Sequence, residues 1–173
     1  MKILLTGHKG FIGHHLHKRL SKNHQIIGID IKDHSNILSA QLPDVDLVIH
    51  LAGVGGVRQS LENPKHYWDN NVVATHKILK HYKDTRVLLA SSSSQYEPWL
   101  NPYAASKHVI ENIPHSNKVA MRFHTVYGAT NRQGMFFDKL LMGTLEYVTP
   151  HSRDFVHIDC LLYTSDAADD TCC

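Results

Sequence analysis

Two side chains that can move a proton, Tyr103 and Lys107, lie four residues apart. On a helix, that spacing places both side chains on one face. A free tyrosine has a pKa of about 10 and is a poor base at neutral pH, but a neighbouring ammonium group favours the phenolate. The pattern alone occurs by chance in many helices. Its value as a catalytic pair therefore depends on the motifs around it.

A run of serines, Ser91–Ser94, directly follows the apolar segment Arg86–Ala90. As a bare composition, such a run is more often a loop than a site. At the end of a strand, however, a hydroxyl group can donate a hydrogen bond to a substrate oxygen on which negative charge develops. The serines are therefore candidates for polarising a substrate.

Three glycines in the pattern G-x-x-G-x-x-G, Gly7, Gly10 and Gly13, lie between the apolar segment Lys2–Thr6 and an amphipathic stretch. Glycines at a strand-to-helix turn allow a tight bend and let the backbone approach a pyrophosphate at the positive end of the helix. This placement predicts a dinucleotide-binding turn. The alternative is a glycine-rich turn without a ligand.

A carboxylate that suits the same cofactor ends the next apolar segment. Asp30 lies 17 residues after Gly13, near the offset of about 20 residues at which an acidic side chain binds the ribose 2′-hydroxyl. Asp30 therefore favours NAD over NADP, although nearby Lys32 leaves a phosphate-tolerant variant open. An ordinary aspartate at the end of a strand is the simpler alternative.

Short apolar segments alternate with longer amphipathic ones, a pattern typical of β-α-β units in a parallel sheet with helices on both faces. Helices are predicted from Phe11 to Leu20, after Pro64 and from near Pro102. We therefore expect an α/β fold with a doubly wound parallel sheet. Five strands are predicted: Lys2–Thr6, Gln25–Asp30, Leu47–Leu51, Arg86–Ala90 and Val119–Phe123.

Length and composition narrow the classes of function. The chain has 173 residues, of which 42% are hydrophobic and 20% charged, enough for one sizeable core and one domain. Its formal net charge is +2, with no basic run, so no nucleic-acid partner is expected. No apolar run approaches the ~20 residues of a membrane span or suits a signal peptide. We therefore expect a cytoplasmic protein, without a membrane partner, that acts on a small molecule.

Cysteines and histidines do not predict a metal site. The first cysteine is Cys160, so neither a disulfide framework nor a cysteine-rich metal site is expected before it. The 15 histidines include a group near the first glycines, but no acidic residue or cysteine completes a ligand set there. Solvated helix faces explain that group, and no metal is expected.

The last 14 residues, 160–173, differ in character from the rest of the chain. Their beginning, Cys-Leu-Leu-Tyr-Thr-Ser-Asp-Ala-Ala-Asp-Asp, resembles the translation of a sequencing-library adapter. We therefore expect 160–173 to be a non-native tail and Asp159 to be the last natural residue, with a natural C-terminus as the alternative.

Over residues 1–159 the chain resembles the extended short-chain dehydrogenases/reductases of the nucleotide-sugar epimerase and dehydratase group. Thr6–Gly13 match the family's T-G-x-x-G-F-I-G, and Asp46–Gly53 resemble its D-x-V-I-H-L-A-A. Asn71–Thr75 resemble N-V-x-G-T, and Ser91–Tyr96 resemble S-S-S-x-V-Y-G. The resemblance implies that 1–159 form a Rossmann-type NAD-binding domain, with the start of a region that binds a nucleotide-sugar substrate.

The resemblance also implies a role for each candidate residue, and these roles fall into three groups. The catalytic group would be Ser92, Tyr103 and Lys107. NAD would be bound by Gly7, Gly10, Phe11, Ile12, Gly13, Asp30, Leu51, Ala52, Gly53, Asn71, Tyr103 and Lys107, and the substrate by Ser93, Ser94, Thr125 and Arg132.

Three segments resemble UDP-glucuronate 4-epimerases in particular: Gly56–Pro64, Ala90–Ser94 and Arg122–Gly128. Dehydratases of the group follow the catalytic hydroxyl with an Asp-Glu pair that acts in the loss of water, whereas this chain has Ser93 and Ser94 there. We therefore expect epimerisation at C4 of a UDP-glucuronate-like nucleotide sugar through a 4-keto intermediate. A dehydratase or reductase of the same family and a non-catalytic NAD-binding module are the alternatives.

The chain departs from the family's pattern in its connections. Only 15 residues separate Asp30 from Asp46, too few for the third strand that walls the adenine. The stretch from Lys107 to Arg122 is also short, so the helix that pairs subunits is expected to be trimmed and a homodimer is left open. The C-terminal substrate lobe is expected to be largely missing after Asp159.

Overall fold

The computed structural model describes residues 1–128, 134–148, 150, 152 and 154–166. The chain divides into two compact units, Met1–Phe123 and His124–Cys173. None of the helices in the described ranges is long and apolar enough to cross a membrane.

Five parallel strands form the sheet of the larger unit, in the order β2-β1-β3-β4-β5. The five predicted strands are all present in this unit, and their parallel arrangement is confirmed. The last strand before the serine run extends further than predicted and includes Ser92 itself. The strands are β1 (Lys2–Thr6), β2 (Gln25–Ile29), β3 (Leu47–His50), β4 (Arg86–Ser92) and β5 (Lys118–Phe123).

Two helices of this unit begin at an asparagine side-chain cap, Asn63 or Asn101. The Asn101 side chain accepts a hydrogen bond from the backbone N–H of Ala104 at 2.9 Å, and Pro102 takes the first helical position, where its missing N–H costs nothing. The helices are α1 (Phe11–Leu20), α2 (Val57–Glu62), α3 (Pro64–Tyr67), α4 (Ala74–His81) and α5 (Pro102–Asn112). A π-helical turn, Trp68–Val73, joins α3 to α4.

The main core lies between the sheet and α4. Leu4, Val48 and Val87 stand in register on three neighbouring strands and are fully buried. Ile78 and Leu79 of α4 pack onto them, and burial of each such side chain contributes about 1.5–3 kcal/mol. Helix α1 packs against β1 and β2 without joining this cluster. Helices therefore cover both faces of the sheet, as the predicted doubly wound fold requires.

The connection from β2 to β3 contains one 3-10 turn, Ile31–Asp33, and no strand in residues 31–46, all of which are described. This confirms that the third strand is missing, and β2 becomes an edge of the sheet. Helix α4 holds the connection in place. The Tyr82 hydroxyl donates to the carbonyl of Pro43 at 2.6 Å, and the Lys77 ammonium group donates to the carbonyl of Ala40 at 2.9 Å.

Aromatic contacts organise the smaller unit. The rings of Tyr127 and Phe137 stack with their centroids 4.5 Å apart, and the Phe155 ring meets Phe137 edge-on at 5.1 Å. The elements are β6 (Thr125–Tyr127), α6 (Phe136–Leu141), β7 (Phe155–His157) and α7 (Ile158–Asp166), with β6 and β7 paired in parallel.

The division at Phe123 is one between compact units, and α7 runs from Ile158 to Asp166. It stays a prediction that residues 1–159 form the NAD-binding domain with the start of a substrate region, and that residues 160–173 are a non-native tail.

A buried histidine links the carboxyl ends of β1 and β3 to α4. His50 is 1% exposed, and its Nδ1 lies 2.6 Å from the hydroxyl of Thr6. That hydroxyl also accepts the backbone N–H of Ala52 at 3.2 Å. The other ring nitrogen, Nε2, lies 3.0 Å from the Thr75 hydroxyl, so both ring nitrogens of His50 have a hydrogen-bond partner. Burial, with a smaller effect from the Lys107 charge, lowers the pKa of His50 to about 3.

We predict that His50 makes the fold sensitive to acid. Its pKa is near 6.5 in the unfolded chain and about 3 in the folded one, so the unfolded chain binds the extra proton. Its contribution to stability is present above pH 6.5 and is lost as the pH falls toward 3, on the order of 4 kcal/mol in total. Urea unfolding at pH 7, 5 and 4 should show a smaller loss for His50→Gln. The exposed His76→Gln is the control, and equal losses in both variants would contradict the prediction.

Candidate active site

The glycine turn is built so that side chains cannot occupy it. Gly7 has φ +72°, and a Cβ there would lie 2.7 Å from the backbone N of Ala52. A Cβ on Gly13 would overlap the carbonyl of Gly7. The Gly10 N–H donates to that same carbonyl at 2.9 Å. The turn therefore leads directly into α1, with the exposed N-terminal end that suits a diphosphate.

The next two predicted residues, Phe11 and Ile12, open α1 and are both half-buried. The structure therefore places them at the end of the glycine turn. Contact of their backbone with the cofactor stays a prediction.

Asp30 lies beside this turn, as its predicted role requires. It is 7% exposed, and its two carboxylate oxygens accept the backbone N–H groups of Lys9 and Lys32, each at 2.9 Å. The ammonium group of Lys9 pairs with Asp33, and that hydrogen bond holds the pKa of Asp33 below its usual value. Asp30 is thus fixed by the backbone on both sides. Its binding to a ribose remains a prediction.

Residues 51–53 follow β3 and run along the glycine turn. The N–H of Leu51 donates to the carbonyl of Thr6 at 3.2 Å, and the neighbouring Ala52 N–H binds the Thr6 hydroxyl. A Cβ on Gly53 would lie 3.0 Å from Asn71 Oδ1 and 3.6 Å from the Lys107 ammonium nitrogen. The structure therefore brings this predicted cofactor segment to Lys107.

Asn71 supports the same loop from behind. It is 1% exposed and lies in the π-helical turn, a feature frequent at functional sites. Its Oδ1 accepts the N–H of Val54 at 2.7 Å, and its Nδ2 donates to the Val54 carbonyl at 3.1 Å and to the Ser106 hydroxyl at 2.9 Å. Asn71 therefore ties the loop after β3 to α5.

Helix α5 brings Tyr103 and Lys107 together. The Lys107 ammonium nitrogen is 6.0 Å from the centre of the Tyr103 ring and donates to the carbonyl of Ala90 on β4 at 2.9 Å. Lys107 is 8% exposed. Burial lowers its pKa to about 8, and the charge of Glu111 partly offsets this effect. Lys107 is therefore mostly a cation at neutral pH.

The serine run turns sharply at the end of β4. The Ser92 hydroxyl accepts the N–H of Ser94 at 3.2 Å and donates to the Ser94 hydroxyl at the same distance. Ser93 opens the 3-10 turn Ser93–Tyr96 and is half-buried, as is Ser94. The run is thus a hydroxyl-lined turn that directly follows Ala90, whose carbonyl accepts the hydrogen bond from Lys107.

The remaining two predicted substrate residues are Thr125 and Arg132. Thr125 opens β6 in the smaller unit, where its N–H donates to the carbonyl of Asp154 at 3.3 Å. Arg132 lies outside the described residues. Their contact with a substrate stays a prediction. Among the positions that the structure describes, no group of three His, Cys, Asp or Glu side chains could hold a metal ion.

Sequence reasoning missed two residues, Tyr67 and Ser106. Tyr67 is 2% exposed, its hydroxyl donates to the carbonyl of Gly55 at 3.1 Å, and its ring meets the Tyr103 ring edge-on at 6.2 Å. The Ser106 hydroxyl donates to the Tyr103 carbonyl at 2.7 Å. The spacing of four between Tyr67 and Asn71 in a helical segment is the signal that could have found Tyr67.

Comparison with known proteins agrees with this geometry. The family model described as "NAD dependent epimerase/dehydratase family" matches residues 3–159. The chain belongs to this family.

Two relatives and one solved structure illustrate the likeness. "Probable UDP-glucuronate 4-epimerase" of Rhizobium meliloti is 31% identical over 94% of this chain and 66% of its own length. "Uncharacterized UDP-glucose epimerase YtcB" of Bacillus subtilis is 31% identical over 93% of this chain and 70% of its own. The UDP-glucuronic acid 4-epimerase of Bacillus cereus, solved with UDP-glucuronic acid and NAD, superposes with a TM-score of 0.82 at 29% identity, over 99% of this chain and 74% of its own.

The chain spans about two thirds of the length of the curated relatives that it matches. The alignments extend over 223 to 226 positions, more than the chain's 173 residues. The chain is therefore also shorter within the matched region, in accordance with its missing third strand.

We predict that Gly13→Ala damages both the turn and NAD binding in this family member. Its Cβ would overlap the Gly7 carbonyl, so the backbone must shift. We expect a loss of about 1–3 kcal/mol in unfolding free energy and NAD affinity weaker by at least about tenfold. Isothermal titration with NAD and urea unfolding measure the two effects. The exposed His14→Ala on the same helix is the control, and unchanged affinity in Gly13→Ala would contradict the prediction.

We predict that Lys107 lowers the stability of the fold at neutral pH. Its pKa is 10.5 in the unfolded chain and about 8 in the folded one, so the unfolded chain binds more protons between these values. Stability should therefore rise as the pH increases from 8 toward 10, by about 2 kcal/mol. Lys107→Met should remove this rise and be more stable at pH 7 than the parent chain. Urea unfolding at pH 7, 8.5 and 9.5 tests this against the exposed Lys80→Met, and an unchanged rise in Lys107→Met would refute it.

Proposed function

We propose that this chain catalyses NAD-dependent epimerisation at C4 of a nucleotide sugar, with UDP-glucuronate as the substrate. The observation that carries the proposal is the position of Lys107. Its buried ammonium group binds Ala90 on β4 and lies beside the ring of Tyr103. One cation therefore joins the tyrosine to the strand that ends in Ser92.

The residues around the glycine turn fit NAD. Side chains are excluded at Gly7 and Gly13 because a Cβ would meet backbone atoms at either position. The chain therefore turns tightly into α1, whose N-terminus can bind a diphosphate. Asp30 directly follows β2 beside this turn, where it would bind the ribose hydroxyls. When bound, NAD would supply reversible hydride chemistry at the sugar C4.

In the proposed mechanism, Tyr103 takes the proton of the sugar 4-hydroxyl as C4 is oxidised, and gives it back when C4 is reduced from the other face. Lys107 stabilises the negative charge that Tyr103 carries as the acceptor. Ser92 donates a hydrogen bond to the sugar oxygen. Its present bond to the Ser94 hydroxyl is long, at 3.2 Å, and exchange for a substrate oxygen would therefore lose little.

A uronate substrate suits the neutral serine turn. Ser93 and Ser94 can donate hydrogen bonds to a carboxylate, whereas acidic side chains at these positions would repel it. The names of the Rhizobium meliloti relative and of the Bacillus cereus structure support the same substrate class. Thr125 and Arg132 are proposed to complete the contacts with the carboxylate and the diphosphate.

The two alternatives give different products. A dehydratase would release a product lighter by one water, and a reductase would consume or accumulate NADH. Ser93 and Ser94 do not provide the acid and base that water loss needs. A non-catalytic module would bind NAD and turn over no sugar.

The proposal predicts that Tyr103→Phe abolishes turnover and leaves NAD bound. Loss of the proton acceptor should lower kcat by about 10²–10⁴-fold. The assay incubates the chain with NAD and UDP-glucuronate and follows the C4 epimer by proton NMR, with NAD affinity measured by titration. The exposed Tyr163→Phe is the control. Equal turnover by the Tyr103→Phe variant and the parent chain would disprove the mechanism, and NAD binding without turnover by the parent chain would favour the binding module.

A further inference from the structure

The helical segment α3–α4 includes the π-helical turn. One face of this segment contacts the end of β3 and the loop after it at successive positions. Tyr67, Asn71 and Thr75 are spaced by four and are each at most 2% exposed. Thr75 binds His50 at the end of β3. Asn71 binds both backbone groups of Val54. Tyr67 lies next along this face, one step further along the loop.

The same face also holds the start of α5. Asn71 donates to the Ser106 hydroxyl at 2.9 Å, and that hydroxyl donates to the carbonyl of Tyr103 at 2.7 Å. The Tyr67 ring also contacts the ring of Tyr103 edge-on, at an interplanar angle of 78°. The helical segment therefore has separate connections to the backbone and to the ring of Tyr103.

Tyr67 makes two contacts of different kinds. Its ring meets Tyr103 edge-on, a favourable arrangement for two aromatic rings at this centroid distance of 6.2 Å. Its hydroxyl binds the carbonyl of Gly55, and the next residue, Gly56, has φ +122°, with its Cβ position 3.2 Å from that hydroxyl. The loop therefore bends around the Tyr67 hydroxyl in a conformation that favours glycine.

We propose that Tyr67 is a positioning residue for the reaction: its ring sets the orientation of Tyr103, and its hydroxyl sets the shape of the loop 53–56. The inference rests on the proposed function for its effect on turnover. The part that concerns the orientation of Tyr103 and the shape of the loop does not depend on the proposed function. Because a misplacement of about 1 Å can cost 10²-fold in rate, small changes at Tyr67 should reach the reaction even though Tyr67 transfers no proton.

The two contacts can be separated by two substitutions. Tyr67→Phe keeps the ring and loses the bond to Gly55, so it should weaken NAD binding or raise KM several-fold with kcat nearly unchanged. Tyr67→Leu loses the ring as well, so kcat should fall by about tenfold or more. Phenylalanine should therefore rescue kcat relative to leucine.

Tyr82 provides a matched control. It is also buried in the larger unit, and its hydroxyl also donates to a backbone carbonyl, that of Pro43 at 2.6 Å. Tyr82→Phe and Tyr82→Leu should cost as much unfolding free energy as the Tyr67 variants. They should leave kcat and KM unchanged.

The decisive measurement is NMR of the chain labelled with ¹³C in its tyrosine rings, since it needs no turnover. The Tyr103 signal is the one that disappears in Tyr103→Phe. We expect it to keep its position in Tyr67→Phe and in both Tyr82 variants, and to shift and broaden in Tyr67→Leu. An unmoved Tyr103 signal in folded Tyr67→Leu, or an equal shift in Tyr82→Leu, would overturn the proposal.

Urea unfolding establishes that each variant is folded. If Tyr67→Leu does not fold, Tyr67→Met replaces it, since methionine fills irregular space without a ring, and the same shift is expected. If the parent chain turns over no UDP-glucuronate, the proposed function fails, whereas the NMR result still decides whether Tyr67 positions Tyr103.

Discussion

A buried cation constrains the whole site. Taking the ammonium group of Lys107 out of water is costly, and its pKa of about 8 records that cost. Contacts with the surrounding backbone offset part of that cost. The carbonyl of Ala90 accepts its hydrogen bond, and Gly53 lies so close that a Cβ there would be in van der Waals contact with the charged nitrogen, at 3.6 Å. Strand β4, the loop after β3 and helix α5 therefore have to meet at one point.

A second charge stabilises this meeting point from one helical turn further along α5. Glu111 lies one helical turn beyond Lys107 and accepts hydrogen bonds from Arg122 of β5 at 2.8 and 2.9 Å and from the hydroxyl of Ser91. Burial acts to raise the pKa of Glu111, but the bonds from Arg122 and Ser91 outweigh it and lower the pKa. Glu111 therefore stays negative and favours the charged form of Lys107, while it ties α5 to both strands.

The sequence allowed much of this to be predicted, because the signals were local. Apolar runs located the five strands, and the short spacing from Asp30 to Asp46 showed that a strand was missing. The contacts of Tyr67, Ser106 and Glu111 could not be predicted in the same way. These contacts join elements that are far apart in sequence. Periodicity and capping patterns show that a side chain is buried or ends a helix, but they do not show which distant element it contacts.

The edge of the sheet where a strand is missing lies away from the candidate catalytic residues. Strand β2 forms the edge where the third strand is absent, whereas the residues proposed for proton transfer, Ser92, Tyr103 and Lys107, lie on β4 and α5. Strands β1 and β3 lie between β2 and β4 in the sheet. Asp30, at the end of β2, is held by two backbone N–H groups rather than by a neighbouring strand. Loss of that strand therefore removes surface near the proposed adenine end of the cofactor site but leaves Asp30 in place. The residues proposed for the adenine end and those proposed for proton transfer lie on separate parts of the sheet, so a weaker hold on adenine would not by itself displace Tyr103 or Lys107.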